Sequence, residues 1–366
     1  MTQVNHRCAV LGKPIAHSLS PVLHQAAYRA LGFDDWAYGR YEIGETDLDG
    51  FLHSLDPSWR GLSLTMPLKK TIQAYGTPSN RWAQRLLVAN TAIFDWTRTG
   101  VDGLPAIDLY NTDVMGIVLA LRHAMNPHYV SDGLAYGSTL DKSDISDSEV
   151  KRAVVIGNGN TAASAVAAML TMSGAVQSAQ TAQLSQEQDA GQHSITVGAR
   201  HPGRYPDLAS MVKGSTSPNS NIAYHEMPID DSISAMRNAD VVVSTIPGHA
   251  ADTLAATIAH DDTFTPHGVL LDVVYDPRPT ALIRAWRNRG GLAIGGEEML
   301  LYQAILQVWL MTGHTSAASV TSNISTSGTG NANAREATVA VNIDADYPYI
   351  DPALEHAMRT ALEEAL

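Results

Sequence analysis

Gly157-Asn158-Gly159-Asn160-Thr161-Ala162 follows the apolar run Ala153 to Ile156 and opens a stretch of small residues, Ala162 to Ser173, patterned as a helix. In that setting a G-x-G-x-x-A turn binds phosphate. The first glycine permits the tight turn, the second lets backbone approach a pyrophosphate, and Ala162 lets the helix lie close to a sheet with its N-terminal amides toward the anion. Glycine turns between strand and helix also form for structural reasons alone, so the flanking strand and helix give this one its weight. At the end of the next strand an Asp or Glu would bond a ribose 2′-hydroxyl and repel a 2′-phosphate. Val197-Gly198-Ala199 runs instead into Arg200-His201-Pro202-Gly203-Arg204. Arg200 and Arg204 carry donor forks suited to a phosphate monoester, although arginines on a solvated loop are ordinary. The expected cofactor is therefore NADP. Thr245 and Pro247, in Ser244-Thr245-Ile246-Pro247-Gly248, end a further strand at the same sheet edge, where backbone would meet ribose and nicotinamide.

Other groups are individually plain. Ser20 before Pro21 reads as a helix N-cap, whereas Ser18 has no such explanation; two hydroxyls beside a helix N-terminus make a neutral site for a carboxylate. Lys69 follows a strand and a proline turn in Gly61-Leu62-Ser63-Leu64-Thr65-Met66-Pro67-Leu68-Lys69-Lys70, and either lysine there can simply be solvated. Asn90-Thr91 and Asn111-Thr112-Asp113 add amides, hydroxyls and a carboxylate; alone, Asp113 is most simply an N-cap for the pattern Val114, Ile117, Val118, Leu121. No metal is expected, because His17, His24 and His53 show no ligand spacing with carboxylates.

The elements that must hold these groups follow from periodicity. Short strands at Arg7 to Leu11, Trp36 to Ile43 and Gly61 to Thr65, with a helix Pro21 to Leu31 ended by Gly32, describe a small α/β domain. From Arg152 the order strand, glycine turn, helix, strand (Ser194 to Ala199), strand (Val241 to Thr245) describes βαβ units on a parallel sheet. The fold class is α/β with two domains, an N-terminal α/β domain and a Rossmann-type NADP-binding domain with a parallel sheet. Polar insertions are expected at 131–150 and 177–193, and a polar tether with one amphipathic helix at 314–366, the helix starting at Asp351-Pro352 with Leu354, Met358, Leu362 and Leu366 one turn apart.

A chain of 366 residues with 45% apolar content supports two cores, and its apolar runs are far shorter than the about 18 residues a membrane span needs. A formal net charge of −13 leaves little basic surface for nucleic acid, so an anionic substrate must be held by locally arranged groups. The one cysteine, Cys8, excludes an internal disulfide, and the polar N-terminus does not read as a secretory leader; a cytoplasmic enzyme is expected.

Taken in order, the serine pair, the lysine segment, Asn90-Thr91, Asn111-Thr112-Asp113, the glycine turn, Asp272-Val273-Val274-Tyr275-Asp276-Pro277 and Gly295-Gly296-Glu297-Glu298-Met299-Leu300-Leu301-Tyr302-Gln303 resemble the shikimate dehydrogenase family over nearly all of residues 7 to 313. The resemblance implies reversible NADPH-dependent reduction of 3-dehydroshikimate to shikimate, on the way to chorismate and the aromatic amino acids. By family pattern Ser18 and Ser20 would hold the substrate carboxylate, Thr65, Asn90, Tyr275 and Gln303 would contact ring hydroxyls or line the site, and Lys69 and Asp113 would be the catalytic pair. Gly296 would border the cofactor and start the helix that carries Gln303 back to the first domain, so that the resemblance implies a substrate domain at 1–113 plus 296–313 and an NADP domain at 114–295. The partner implied is a small molecule, with the chain a monomer or homodimer.

This chain departs from the pattern where Ser63-Leu64-Thr65 replaces the Asn before Val-Thr found in many members, and where Leu87-Val88-Ala89 precedes Asn90. Those changes bear on substrate preference more than on chemistry. A ketone reductase needs an acid within reach of the developing alkoxide, a role that fits Lys69 with Asp113 steadying it. A carboxylate neighbour raises a lysine's pKa while desolvation lowers it, and sequence leaves that balance open. Two competing functions are a quinate/shikimate dehydrogenase, which Arg200 and Arg204 disfavour, and an idle relative serving as a binding module, which Lys69 and Asp113 disfavour.

Overall fold

A computed structural model describes residues 3–125, 150–173, 193–205, 207–214, 222–313 and 350–366. The stretches expected to be polar insertions and a polar tether fall outside the described residues, apart from Val150, His193 and the segment from Ile350 onward. The chain divides into two units: Met1–Asn80, Ala89–Thr112 and Ala304–Leu366 form the first, Arg81–Val88 and Asp113–Gln303 the second.

In the first unit β1 (His6–Gly12), β2 (Trp36–Glu42), β3 (Trp59–Leu64), β4 (Thr77–Pro78), β5 (Thr91–Thr99) and β6 (Pro105–Tyr110) form one sheet in the order β2-β1-β3-β5-β6-β4. β1 pairs in parallel with β2 and β3, whereas β5 runs antiparallel to both β3 and β6. Five consecutive buried residues, Cys8 to Gly12, mark β1 as a strand covered on both faces. Ala9 and Leu11 enter one apolar cluster with Leu62, Leu64 and Leu109, and Cys8 and Val10 another with Tyr28, Tyr38 and Met311, as a period of two requires. Cys8 is a core residue whose thiol is pushed up to about 12 by desolvation.

The helix Pro352–Ala365 also belongs to the first unit and packs on the helix Ser20–Ala30. Asp351 caps it by accepting from the Ala353 amide at 2.9 Å, and Pro352 occupies its first turn. Its stripe of Leu354, Met358 and Leu362 is buried, as is the ion pair of Arg359 with Glu355 at 2.8 Å. Leu366, the last residue expected in that stripe, is exposed, because it stands at the cap just past the end of the helix. Met358, fully buried, should lose about 2–4 kcal/mol of unfolding free energy on Met358→Ala, measured by urea denaturation. A change below about 0.5 kcal/mol would mean that the helix is undocked in solution.

Among the described residues the sheet of the second unit is parallel throughout. β7 (Arg152–Ile156), β8 (His193–Ala199), β9 (Ile222–Pro228), β10 (Val241–Ser244), β11 (Val269–Asp272) and β12 (Ala293–Gly295) lie in the order β12-β11-β10-β7-β8-β9. The strand order reverses between β7 and β10, and the crevice at their carboxyl ends is where open α/β sheets bind ligands. Val154, Ile156, Val242 and Leu270 pack against Leu282 and Trp286 of the helix Ala281–Asn288 on one face. Among the described residues no helix is long and apolar enough to cross a membrane.

Candidate active site

In the first unit the carboxyl ends of β1 and β3 bring two loops together. The Lys13 amide donates to the Met66 carbonyl at 2.9 Å and the Thr65 amide to the Leu11 carbonyl at 2.9 Å. Gly12 makes this approach possible, since a Cβ there would stand 2.3 Å from the Thr65 Cγ2. Ser18, Ser20 and Thr65 are thereby held on one edge of the sheet. Ser20 is the first residue of its helix, not the N-cap expected from sequence: Leu19 already has αR dihedrals and stands at the cap, and the Ser18 Oγ accepts from the Ser20 amide at 3.4 Å. No side chain caps this helix; Ser18 takes the Ser20 amide just ahead of it, and the Ser20 hydroxyl acts on the Tyr38 phenol.

Lys69 sits half-buried on the four-residue helix Leu68–Thr71, and Lys70 beside it is exposed. The Leu68 amide bonds the Thr65 carbonyl at 2.8 Å, and the Lys69 carbonyl accepts from Ala89 at 2.9 Å, which fastens the lysine's backbone to the segment carrying Asn90. Asn90 is 2% exposed. Its Oδ1 accepts from the Thr112 amide at 2.8 Å and its Nδ2 donates to the Thr112 Oγ1 at 2.8 Å. Asp113 is next in the chain and opens the helix Asp113–Met125, again one residue inside the predicted cap; a carboxylate in a first turn is favoured by the helix dipole.

The second unit presents the dinucleotide turn. Gly157 has φ +112°, and a Cβ on it would stand 2.4 Å from the Thr245 Oγ1, so only glycine fits where the loops after β7 and β10 touch. The Thr245 Oγ1 donates to the Ile156 carbonyl at 2.9 Å. Asn160 and Thr161 begin the helix Asn160–Met172, whose N-cap, Gly159, makes no side-chain capping bond. Amides at an uncapped helix start are available to an anion. Ala162 is fully buried, as close helix-to-sheet packing demands. After β8, Arg200 and Arg204 are exposed, and the Asn158 Nδ2 donates to the His201 carbonyl at 3.1 Å, tying the arginine loop to the glycine turn. Pro247 is exposed and Thr245 half-buried. Gly296 lies so close to β11 that a Cβ would come within 2.0 Å of the Val273 carbonyl.

Two further expected residues, Tyr275 and Gln303, lie in the second unit with Asp113. Tyr275 follows β11, and burial, then the neighbouring Asp276, raises its phenol above the ordinary value. Gln303 is 7% exposed and donates to the Leu300 carbonyl at 3.0 Å. Its helix comes close to Asp113–Met125 at Gly116, where a Cβ would stand 2.8 Å from the Gln303 Cβ.

The shikimate dehydrogenase substrate binding domain matches this chain over residues 10–92. A shikimate dehydrogenase (NADP(+)) of Methanothrix thermoacetophila is 30% identical over 304 residues, 82% of this chain and 90% of the relative. The chain belongs to the shikimate dehydrogenase family. The corresponding enzyme of Moorella thermoacetica is 28% identical over 313 residues, covering 85% of this chain and 90% of its own. The crystal structure of Mycobacterium tuberculosis shikimate dehydrogenase superposes with a TM-score of 0.64 at 29% identity, covering 98% of this chain and 99% of that one.

One buried, hydrogen-bonded set of side chains does not emerge as a group from the sequence. Tyr38 and Gln307 meet at Ser63 in the interior of the first unit, and His24 lies against Gln307. Gln307 stands one helical turn beyond Gln303 on the helix Gly296–Thr312, and that i, i+4 spacing was the signal available.

Proposed function

We propose that this protein is a cytoplasmic NADP-dependent shikimate dehydrogenase, interconverting 3-dehydroshikimate and shikimate. The observation that carries the proposal is that a chain of this family keeps Lys69 and Asn90 fastened to one sheet edge by the Ala89–Lys69 backbone bond, in company with Ser18, Ser20 and Thr65. The glycine cradle at Gly157 and the uncapped start of the helix Asn160–Met172 fit a pyrophosphate. Arg200 and Arg204, with no carboxylate at the end of β8, fit a 2′-phosphate.

When bound, NADPH supplies the hydride to the substrate ketone. Ser18 and Ser20 orient the substrate by its carboxylate, and Thr65, Asn90, Tyr275 and Gln303 fix the ring hydroxyls. Lys69 gives a proton to the carbonyl oxygen as it becomes an alcohol and stabilises its developing negative charge; in the reverse direction it receives that proton. Asp113 steadies the lysine and the reacting hydroxyl.

The test is NADPH consumption on addition of 3-dehydroshikimate to the purified protein, run beside NADH, and NADP+ and NAD+ reduction with shikimate and quinate. NADPH oxidation with dehydroshikimate, and shikimate oxidation faster than quinate, are expected. Equal kcat/KM for the two nicotinamides, or faster turnover of quinate, would overturn the assignment.

A further inference from the structure

We infer that Gln307 is a positioning residue for the substrate site, acting through a buried hydrogen-bond network that spans the first unit; the inference rests on the shikimate dehydrogenase assignment. Gln307 is 1% exposed, and its amide bonds on both sides. Its Nε2 donates to the Asn90 carbonyl at 3.1 Å and to the Thr91 Oγ1 at 3.0 Å, and its Oε1 accepts from the Ser63 hydroxyl at 2.7 Å. The Tyr38 hydroxyl in turn donates to the Ser63 Oγ at 2.6 Å, and Ser20 acts on that same phenol. At the other end the Thr91 hydroxyl donates to the Asn90 Oδ1 at 3.0 Å. One glutamine therefore joins the segment that holds Asn90 to the phenol against which Ser20 is set.

The polarity of this chain has a single solution. A backbone carbonyl only accepts, so the Asn90 oxygen fixes the Gln307 Nε2 toward it and the Oε1 toward Ser63. Ser63 has one proton, given to Gln307, so Tyr38 must be the donor to Ser63. His24 agrees with this order: its Nε2 lies 3.4 Å from the Gln307 Oε1, an oxygen that only accepts, and its ring stacks on Tyr38 with centroids 3.9 Å apart. Burial lowers the His24 pKa to about 3, so the imidazole is neutral and carries its proton on Nε2. The phenol of Tyr38 is held neutral as well, because desolvation raises its pKa far above the ordinary value. A network without a titrating member keeps one arrangement across the working pH range.

Ser63 stands where many family members carry asparagine. Here it is 4% exposed, paired across to Thr91 in register, and committed to Tyr38 and Gln307. The residue at that position serves the frame behind the substrate in this chain, and the orientation of Asn90 and Ser20 depends on it.

The test uses the full-length protein with Gln307→Met, which keeps an unbranched side chain of similar volume but neither donates nor accepts strongly. Val308→Ala, on the same helix and fully buried but outside the network, is the stability control. Because the network orients groups that hold the substrate in ground and transition states alike, Gln307→Met should raise the KM for shikimate by about tenfold or more, with kcat within about threefold. The KM for NADP+ should not move. Val308→Ala should lower the thermal midpoint without moving either KM. Ser63→Ala should weaken shikimate in the same sense, and the double variant should lose less than the product of the two single losses. An unchanged shikimate KM in Gln307→Met, alongside an active wild type, overturns the positioning role alone; so does a matching rise in the Val308→Ala control. A wild type that neither binds shikimate by calorimetry nor oxidises it overturns the dehydrogenase assignment and the positioning role with it.

Discussion

Lys69→Ala should reduce 3-dehydroshikimate at least about a thousandfold more slowly than wild type, with the KM for NADPH within about twofold. Two functions are lost at once: the proton given to the carbonyl oxygen and the positive charge that meets the developing alkoxide. Neither is expected from Lys70, which is exposed and stands one residue further along the same short helix. The frame should survive, because what anchors this helix is backbone: Leu68 to the Thr65 carbonyl and Ala89 to the Lys69 carbonyl. Nicotinamide binding should survive too, since the groups assigned to it belong to the other unit. Steady-state kinetics at saturating NADPH, with the thermal midpoint as a control for folding, check this. More than a tenth of wild-type kcat in Lys69→Ala would remove the lysine from the chemistry. Asp113→Asn, which retains a polar group at the helix start, should lose less, about 10–100-fold, because its part is to steady the acid.

Legibility of this chain from sequence tracked how local the determining interaction is. β7, the glycine turn and the helix after it are written in adjacent residues: Ala153 to Ile156 are buried on both faces, and Gly157 is where Thr245 leaves no room for a side chain. The strand order of the second sheet follows from the same local rules, since parallel βαβ units have few ways to wind. Capping was misplaced by one residue at both Ser20 and Asp113. Pattern locates the turn, but whether the cap is Ser20 or the residue before it depends on Leu19 already being helical and on Ser18 taking the amide. Of the Gln307 network only the i, i+4 spacing from Gln303 is visible in the sequence. Its members come from residues 20, 24, 38, 63, 90, 91 and 307, and nothing in a single chain says that a polar residue one turn past Gln303 faces inward. The terminal helix shows the opposite limit: its amphipathic stripe was plain, but not the surface it covers, the helix Ser20–Ala30.

Replacing Arg200 and Arg204 together by alanine should raise the KM for NADPH by about a hundredfold or more and leave kcat at saturation nearly unchanged. Each charge-assisted contact to a phosphate contributes about 1.5–3 kcal/mol, and both would be removed. NADH, which has no 2′-phosphate, should bind the variant as it binds wild type, so the preference narrows from one side only. Both arginines are exposed, so their attraction for a dianion is screened: the wild-type KM for NADPH should climb between about 0.05 and 0.5 M salt while that for NADH stays flat. Asn158→Ala gives a graded version of the same effect. It removes the bond that ties the arginine loop to the glycine turn, so the loop must be ordered by the ligand itself, and the KM for NADPH should rise several-fold. An equal loss for both nicotinamides in the double arginine variant would mean that the loop supports the fold of the second unit and does not recognise the phosphate. A loss confined to NADPH, and erased by salt, ties cofactor choice to the arginine pair that stands where an NAD enzyme would place an acid.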